Sequence, residues 1–79
     1  MSEMVDKIHV ILSRELNLPS AVLSPRSRLR EDLNMDSIIA LNLIFAAEKE
    51  LDITIKEEDI IKLVTVSDLE NLVERLSAK

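Results

Sequence analysis

The stretch Ser37-Ile38-Ile39-Ala40-Leu41-Asn42-Leu43-Ile44-Phe45-Ala46-Ala47-Glu48-Lys49-Glu50-Leu51 decides the fold class. From Ile38 to Ala47 it is apolar with one interruption, Asn42. That run is too short to span a bilayer, which takes about 20 residues. A helix apolar on nearly every side is either central to a core or offers a contact face. Stepping about 100° per residue from Ser37 puts Leu43, Ala47 and Leu51 on one side, with Ala40 and Ile44 near it. These are the predicted core residues. Ile39, Asn42, Phe45 and Lys49 fall on another side, within about 120° of one another. A thin core cannot cover the whole circumference. Ile39 is therefore expected to be largely exposed and Phe45 at least partly so, as a small apolar patch rimmed by Glu48 and Lys49.

Helical periodicity continues on both sides of this segment. Val5, Ile8, Leu12 and Leu16 follow i, i+3, i+4 spacing, with Ile11 beside them. Ser2 suits the cap of that helix, Asn17 a left-handed end and Pro19 a stop, which predicts a helix over 3–16. Thr54-x-x-Glu57 and Ser67-x-x-Glu70 both match the capping box. They predict a short helix over 57–62 and a last helix over 67–77. Leu69, Leu72, Val73 and Leu76 form the buried stripe of that last helix. Gly is absent and Pro occurs twice, a poor composition for β-hairpins. Residues 17–36 carry the stop signals Pro19-Ser20, Ser24-Pro25, Ser27 and Asn34, so they form a long connection. Leu18, Val22, Leu23, Leu29 and Leu33 are expected to pin it to the core. The architecture is an all-α, four-helix bundle: three principal helices, one short helix, and a long loop between helices one and two.

Length and composition bound the chemistry. The chain has 79 residues, 47% of them hydrophobic and 32% charged, so one domain over 1–79 with a thin core is expected. Without Cys there is no disulfide, thiolate metal site or Cys nucleophile. The lone His9 cannot build a zinc site, and its place inside helix one marks it as structural or exposed. One aromatic residue and a net charge of −5 make nucleic acid a poor partner. The middle third holds that charge: Asp36, Glu48, Glu50, Asp52, Glu57, Glu58 and Asp59 stand against Lys49 and Lys56. Such a field suits either a basic partner reached by electrostatic steering or a plain solubilising surface. Arg26, Arg28 and Arg30 alternate in the long loop and are expected to be solvated or paired with acids. The first residues lack a basic region followed by an apolar one, so a cytoplasmic location is expected.

Two motifs near residue 36 separate cleanly. Asp32-x-Asn34-x-Asp36 resembles the opening of a calcium loop, but Ser37 and Leu43 stand where Gly and Glu are required. No metal site and no catalytic site are expected. Asp36-Ser37 closes the long loop and opens the most apolar helix. Either residue would serve as an N-cap. A hydroxyl placed there would also suit a phosphodiester, which would meet free N–H donors and the positive end of the helix dipole.

Asp32-Leu33-Asn34-Met35-Asp36-Ser37-Ile38 resembles the D-L-G-x-D-S-L signature of acyl carrier proteins. The resemblance extends to the first helix ending at Leu16, the Ala46-x-Glu48-x-Glu50-Leu51 end of helix two, and Lys62-Leu63-Val64-Thr65-Val66 ahead of the last helix. It implies that Ser37 carries 4′-phosphopantetheine, transferred from coenzyme A by a phosphopantetheinyl transferase, with Asp36 as a recognition residue. It also implies a monomer that is not an enzyme, an acyl chain as cargo, and acyl-transferring or acyl-modifying enzymes with basic docking surfaces as partners. With the wheel of helix two and the acidic middle third, Ile39, Asn42, Phe45, Glu48, Lys49, Glu57 and Glu58 are the expected docking residues. Asn34 replaces the motif's Gly and suits a left-handed turn. Ile39 and Asn42 replace the family's early helix-two acids, which implies a specialised carrier rather than a general one of fatty-acid synthesis. The alternatives are an unmodified helical protein-interaction module using the Ile39–Phe45 face, or a carrier of aminoacyl or peptidyl groups.

Overall fold

A computed structural model describes residues 3–77. Four α-helices occur in chain order: α1 (Glu3–Leu16), α2 (Ser37–Leu51), α3 (Glu57–Ile60) and α4 (Val66–Ser77). A single 3₁₀ turn, Ser20–Val22, interrupts the long connection, and no strand occurs among the described residues. The helix expected over 3–16 spans those residues. Its proposed cap, Ser2, lies outside the described residues. Asn17 follows the helix with φ 54°, the left-handed turn its side chain tolerates.

One apolar core holds the elements together. Ile8, Ile11 and Leu12 of α1 meet Leu43, Ala47 and Leu51 of α2 and Leu69, Leu72 and Val73 of α4. Helix α1 packs against both α2 and α4. His9 lies at the α1–α4 seam, where its Nε2 meets the Glu70 carboxylate. It is thus structural, as its place inside an apolar helix suggests.

The long connection is pinned as expected by Leu23, Leu29 and Leu33, which are buried, while Val22 stands 48% exposed and anchors nothing. The 3₁₀ turn carries Val22 outward, and Met35 contributes to the core instead. Backbone pairing adds a second fastening. Leu29 N–H donates to Val64 O at 2.8 Å, Val66 N–H to Ser27 O at 3.0 Å, and Ser67 N–H to Pro25 O at 3.0 Å. The loop thereby uses first-turn N–H groups of α4 that would otherwise lack partners.

Both expected capping boxes are displaced. Lys56 is extended and precedes α3 without a side-chain cap bond. Thr54 lies two residues before that cap position, and the helix covers Glu57–Ile60 rather than 57–62. At α4 the box is Thr65-x-x-Asp68. Asp68 N–H donates to Thr65 Oγ1 at 3.2 Å, and Thr65 N–H donates to Asp68 Oδ2 at 3.0 Å. Ser67 lies within the helix, because the buried Val66 already belongs to its first turn.

Candidate functional site

The N-terminus of α2 is built by the loop that precedes it. Met35 is buried and its N–H donates to Leu29 O at 2.9 Å, which fixes the approach of the chain. Asn34, at φ 56°, makes the left-handed turn that brings Asp36 to the helix start. Asp36 is extended and is the N-cap: its Oδ1 accepts the Ile39 N–H at 2.8 Å. Ser37 is the first helical residue and is exposed. The N–H groups of Ser37 and Ile38 have no hydrogen-bond partner among the described residues. Capping falls to Asp36, which leaves the Ser37 hydroxyl available.

The exposed apolar face of α2 is rotated by about 60° from the expected one. Ile38 is 71% exposed, Phe45 58% and Leu41 52%, whereas Ile39 is half-buried against the core. The expectation that Ile39 is largely exposed is corrected. The buried set Leu43, Ile44, Ala47 and Leu51 centres about 165° from Ile38 and only about 95° from Ile39 on the helical wheel. Ile39 thus sits at the core boundary. The partial exposure expected of Phe45 is found. Stepping outward from the centre of the core side, rather than from Ser37, would have found Ile38 and Leu41.

The polar docking residues named from sequence fall in three places. Asn42 and Lys49 are exposed on the α2 face with Phe45. Glu57 and Glu58 are exposed in the first turn of α3. Glu48 is half-buried, and its carboxylate accepts the Ile55 N–H at 2.9 Å. It ties the end of α2 to the chain leading into α3 and does not rim the patch freely. Glu50 pairs with Arg14 of α1, and that hydrogen-bonded guanidinium holds its carboxyl below the usual glutamate range. No cluster of metal-ligating side chains occurs among the described residues.

Behind the α2 N-terminus lies a narrow apolar cleft of about 40 Å³. Met35, Ala40, Leu43 and Ile44 line it together with Ile60 and Leu63, and Arg30 completes it. Arg30, Ile60 and Leu63 also line an outer groove of about 350 Å³ beside Ile61 and Val64.

A family model described as the phosphopantetheine attachment site matches residues 6–73. The chain belongs to the phosphopantetheine-attachment family. Among similar proteins is an acyl carrier protein of Thermosynechococcus vestitus, 35% identical over 68 residues, covering 86% of this chain and 84% of that one. An acyl carrier protein of Campylobacter lari is 31% identical over 71 residues, covering 90% and 92%. One of a Picosynechococcus species is 34% identical over 71 residues, covering 90% and 88%. The prosthetic group of the phosphopantetheine-attachment family is covalent 4′-phosphopantetheine. The α2 N-terminus fits the phosphate of that group, because an exposed hydroxyl, two N–H groups without partners among the described residues and the positive end of a 15-residue helix converge there.

Proposed function

We propose that the chain is an acyl carrier whose prosthetic arm is attached through Ser37 Oγ. The observation that carries this reading is the exposed Ser37 at the first turn of α2, with the capping duty taken by Asp36. When bound, the group supplies a flexible arm ending in a thiol to which an acyl group is attached. The chain's own residues do the rest. Asp36 fixes the helix start, and its exposed carboxylate doubles as a recognition point for the transferase. Ser37 and Ile38 offer N–H donors to the phosphate. Ile38, Leu41 and Phe45 join Asn42 and Lys49 as a contact face, and Glu57 and Glu58 add the negative rim that a basic partner enzyme would meet. We read it as a cytoplasmic, monomeric, specialised carrier of fatty-acid, lipid or polyketide-type biosynthesis. The uncharged start of α2, where Ile39 and Asn42 stand, supports a partner set of its own.

Intact mass after incubation with coenzyme A, Mg²⁺ and a broad-specificity phosphopantetheinyl transferase tests the attachment. The expected result is a gain of one phosphopantetheine, abolished by Ser37→Ala. No gain with several transferases would favour the unmodified interaction module, and a gain that survives Ser37→Ala would move the attachment elsewhere.

A further inference from the structure

We propose that Arg30 selects the cargo: it binds a carboxylate at the free end of a short acyl group whose stem enters the adjoining cleft. This rests on the attachment reading above. The cleft is lined by Met35 and Ala40, which flank the arm's anchor Ser37 in the chain. Its walls are apolar, so it takes hydrocarbon. Its volume of about 40 Å³ is small; a single water needs about 10–15 Å³ of such space, so a few methylenes fill it. A longer stem would emerge into the outer groove, where Arg30, Ile60 and Leu63 continue the lining.

The charge at that junction is specific. Arg28 and Glu31 also line the outer groove, but they pair with each other. Arg30 has no carboxylate within ion-pair distance among the described residues. A guanidinium left without a carboxylate, in a chain of net charge −5, therefore stands where an apolar cleft opens. Its planar fork matches a carboxylate with two parallel hydrogen bonds. An acyl group ending in a methyl offers nothing to that fork, and a carboxyl-ended one of equal length completes it.

The test compares three forms of the carrier: unloaded arm, butyryl-loaded and succinyl-loaded. The two loads match in carbon count and differ by a carboxylate. Mass spectrometry first establishes attachment and loading, and NMR then reads the Arg30 Nε–H and the Ile60 and Leu63 methyl signals. The expected result is a shift of all three with the succinyl load and of the methyls alone with the butyryl load. Arg30→Gln should abolish the succinyl-specific shift, and Arg30→Lys should retain part of it. Equal shifts from the two loads would overturn the proposal. So would an Arg30 shift already complete with the unloaded arm, which would assign the anion to the arm's phosphate. Failure to attach the arm at all would remove both readings and is seen separately in the mass. The two wild-type loads decide the matter even if a variant folds poorly.

Discussion

Three residues take the left-handed conformation that glycine usually occupies: Asn17, Asn34 and Asp52, with φ between 54° and 56°. The chain has no Gly, so each such turn falls to a short polar side chain that tolerates it. Asn17 was legible because Pro19 follows it, and Asn34 because it holds the motif's Gly position. Asp52 carries no such neighbour and was not foreseen as the end of α2. Asp68 was missed for a related reason. Two capping patterns overlap by two residues, and only the pairing of Val66 and Ser67 with the long loop decides between them. Asp68 accepts the N–H groups of Thr65 and Val64, and these hydrogen bonds hold its carboxyl below the usual aspartate range. A carboxyl depressed in the folded state stabilises above its unfolded pKa of about 3.9 and loses that contribution as pH falls through the folded value. Asp68→Ala should therefore cost about 0.5–2 kcal/mol at pH 7, the range of a lost cap. The difference from wild type should shrink below about pH 4. Urea unfolding at pH 7 and pH 3 checks this, and an equal difference at both pH values would remove the carboxylate from the account.

At the scale of the element, α2 shows what periodicity can and cannot supply. Its limits, Ser37–Leu51, were readable because an N-cap precedes it and the charged Glu48-Lys49-Glu50 closes the apolar run, and its core residues because Leu43, Ala47 and Leu51 recur every four residues. Which apolar residues face outward was not, since nearly every position is apolar and the partners α1 and the long loop fix the phase. The two sides should respond oppositely to truncation. Leu43 is 1% exposed and Phe45 is 58% exposed. Leu43→Ala should cost about 2–5 kcal/mol, as buried leucines do. Phe45→Ala should leave thermal stability nearly unchanged, far from the about 3–5 kcal/mol of a buried aromatic, and should weaken binding to the transferase. Melting curves together with binding measurements on both variants separate the roles. A large stability loss from Phe45→Ala would place that ring in the core and leave Ile38 and Leu41 as the exposed face.

At the scale of the molecule, the acidic middle third divides once contacts are known. Asp36 caps α2, Glu48 holds the Ile55 N–H, Glu50 pairs with Arg14 and Asp59 pairs with Arg75 at 3.1 Å. These acids hold helices and loops in place, and their exchange for lysine would disturb the fold as well as the field. Sequence alone could sort only Asp36, whose cap is local; the other contacts join residues distant in the chain or depend on a loop conformation. Asp52, after α2, and Glu57 and Glu58, at the start of α3, remain exposed and have no ion-pair partner among the described residues. The outward field that a basic partner meets is thus concentrated there, some way along the chain from the uncharged first turns of α2. Steering by that field should act on the rate of encounter, and the apolar face on the lifetime of the complex. Reversing both with Glu57→Lys and Glu58→Lys should slow association with the transferase at low ionic strength. The difference from wild type should fade as salt rises, because the screening length drops from about 10 Å at 0.1 M to about 3 Å at 1 M. Phe45→Ala should instead speed dissociation at every salt concentration. Stopped-flow association across a salt series distinguishes the two. An association rate unmoved by the α3 reversals would leave the acidic surface a solubilising one, with recognition resting on the apolar face of α2.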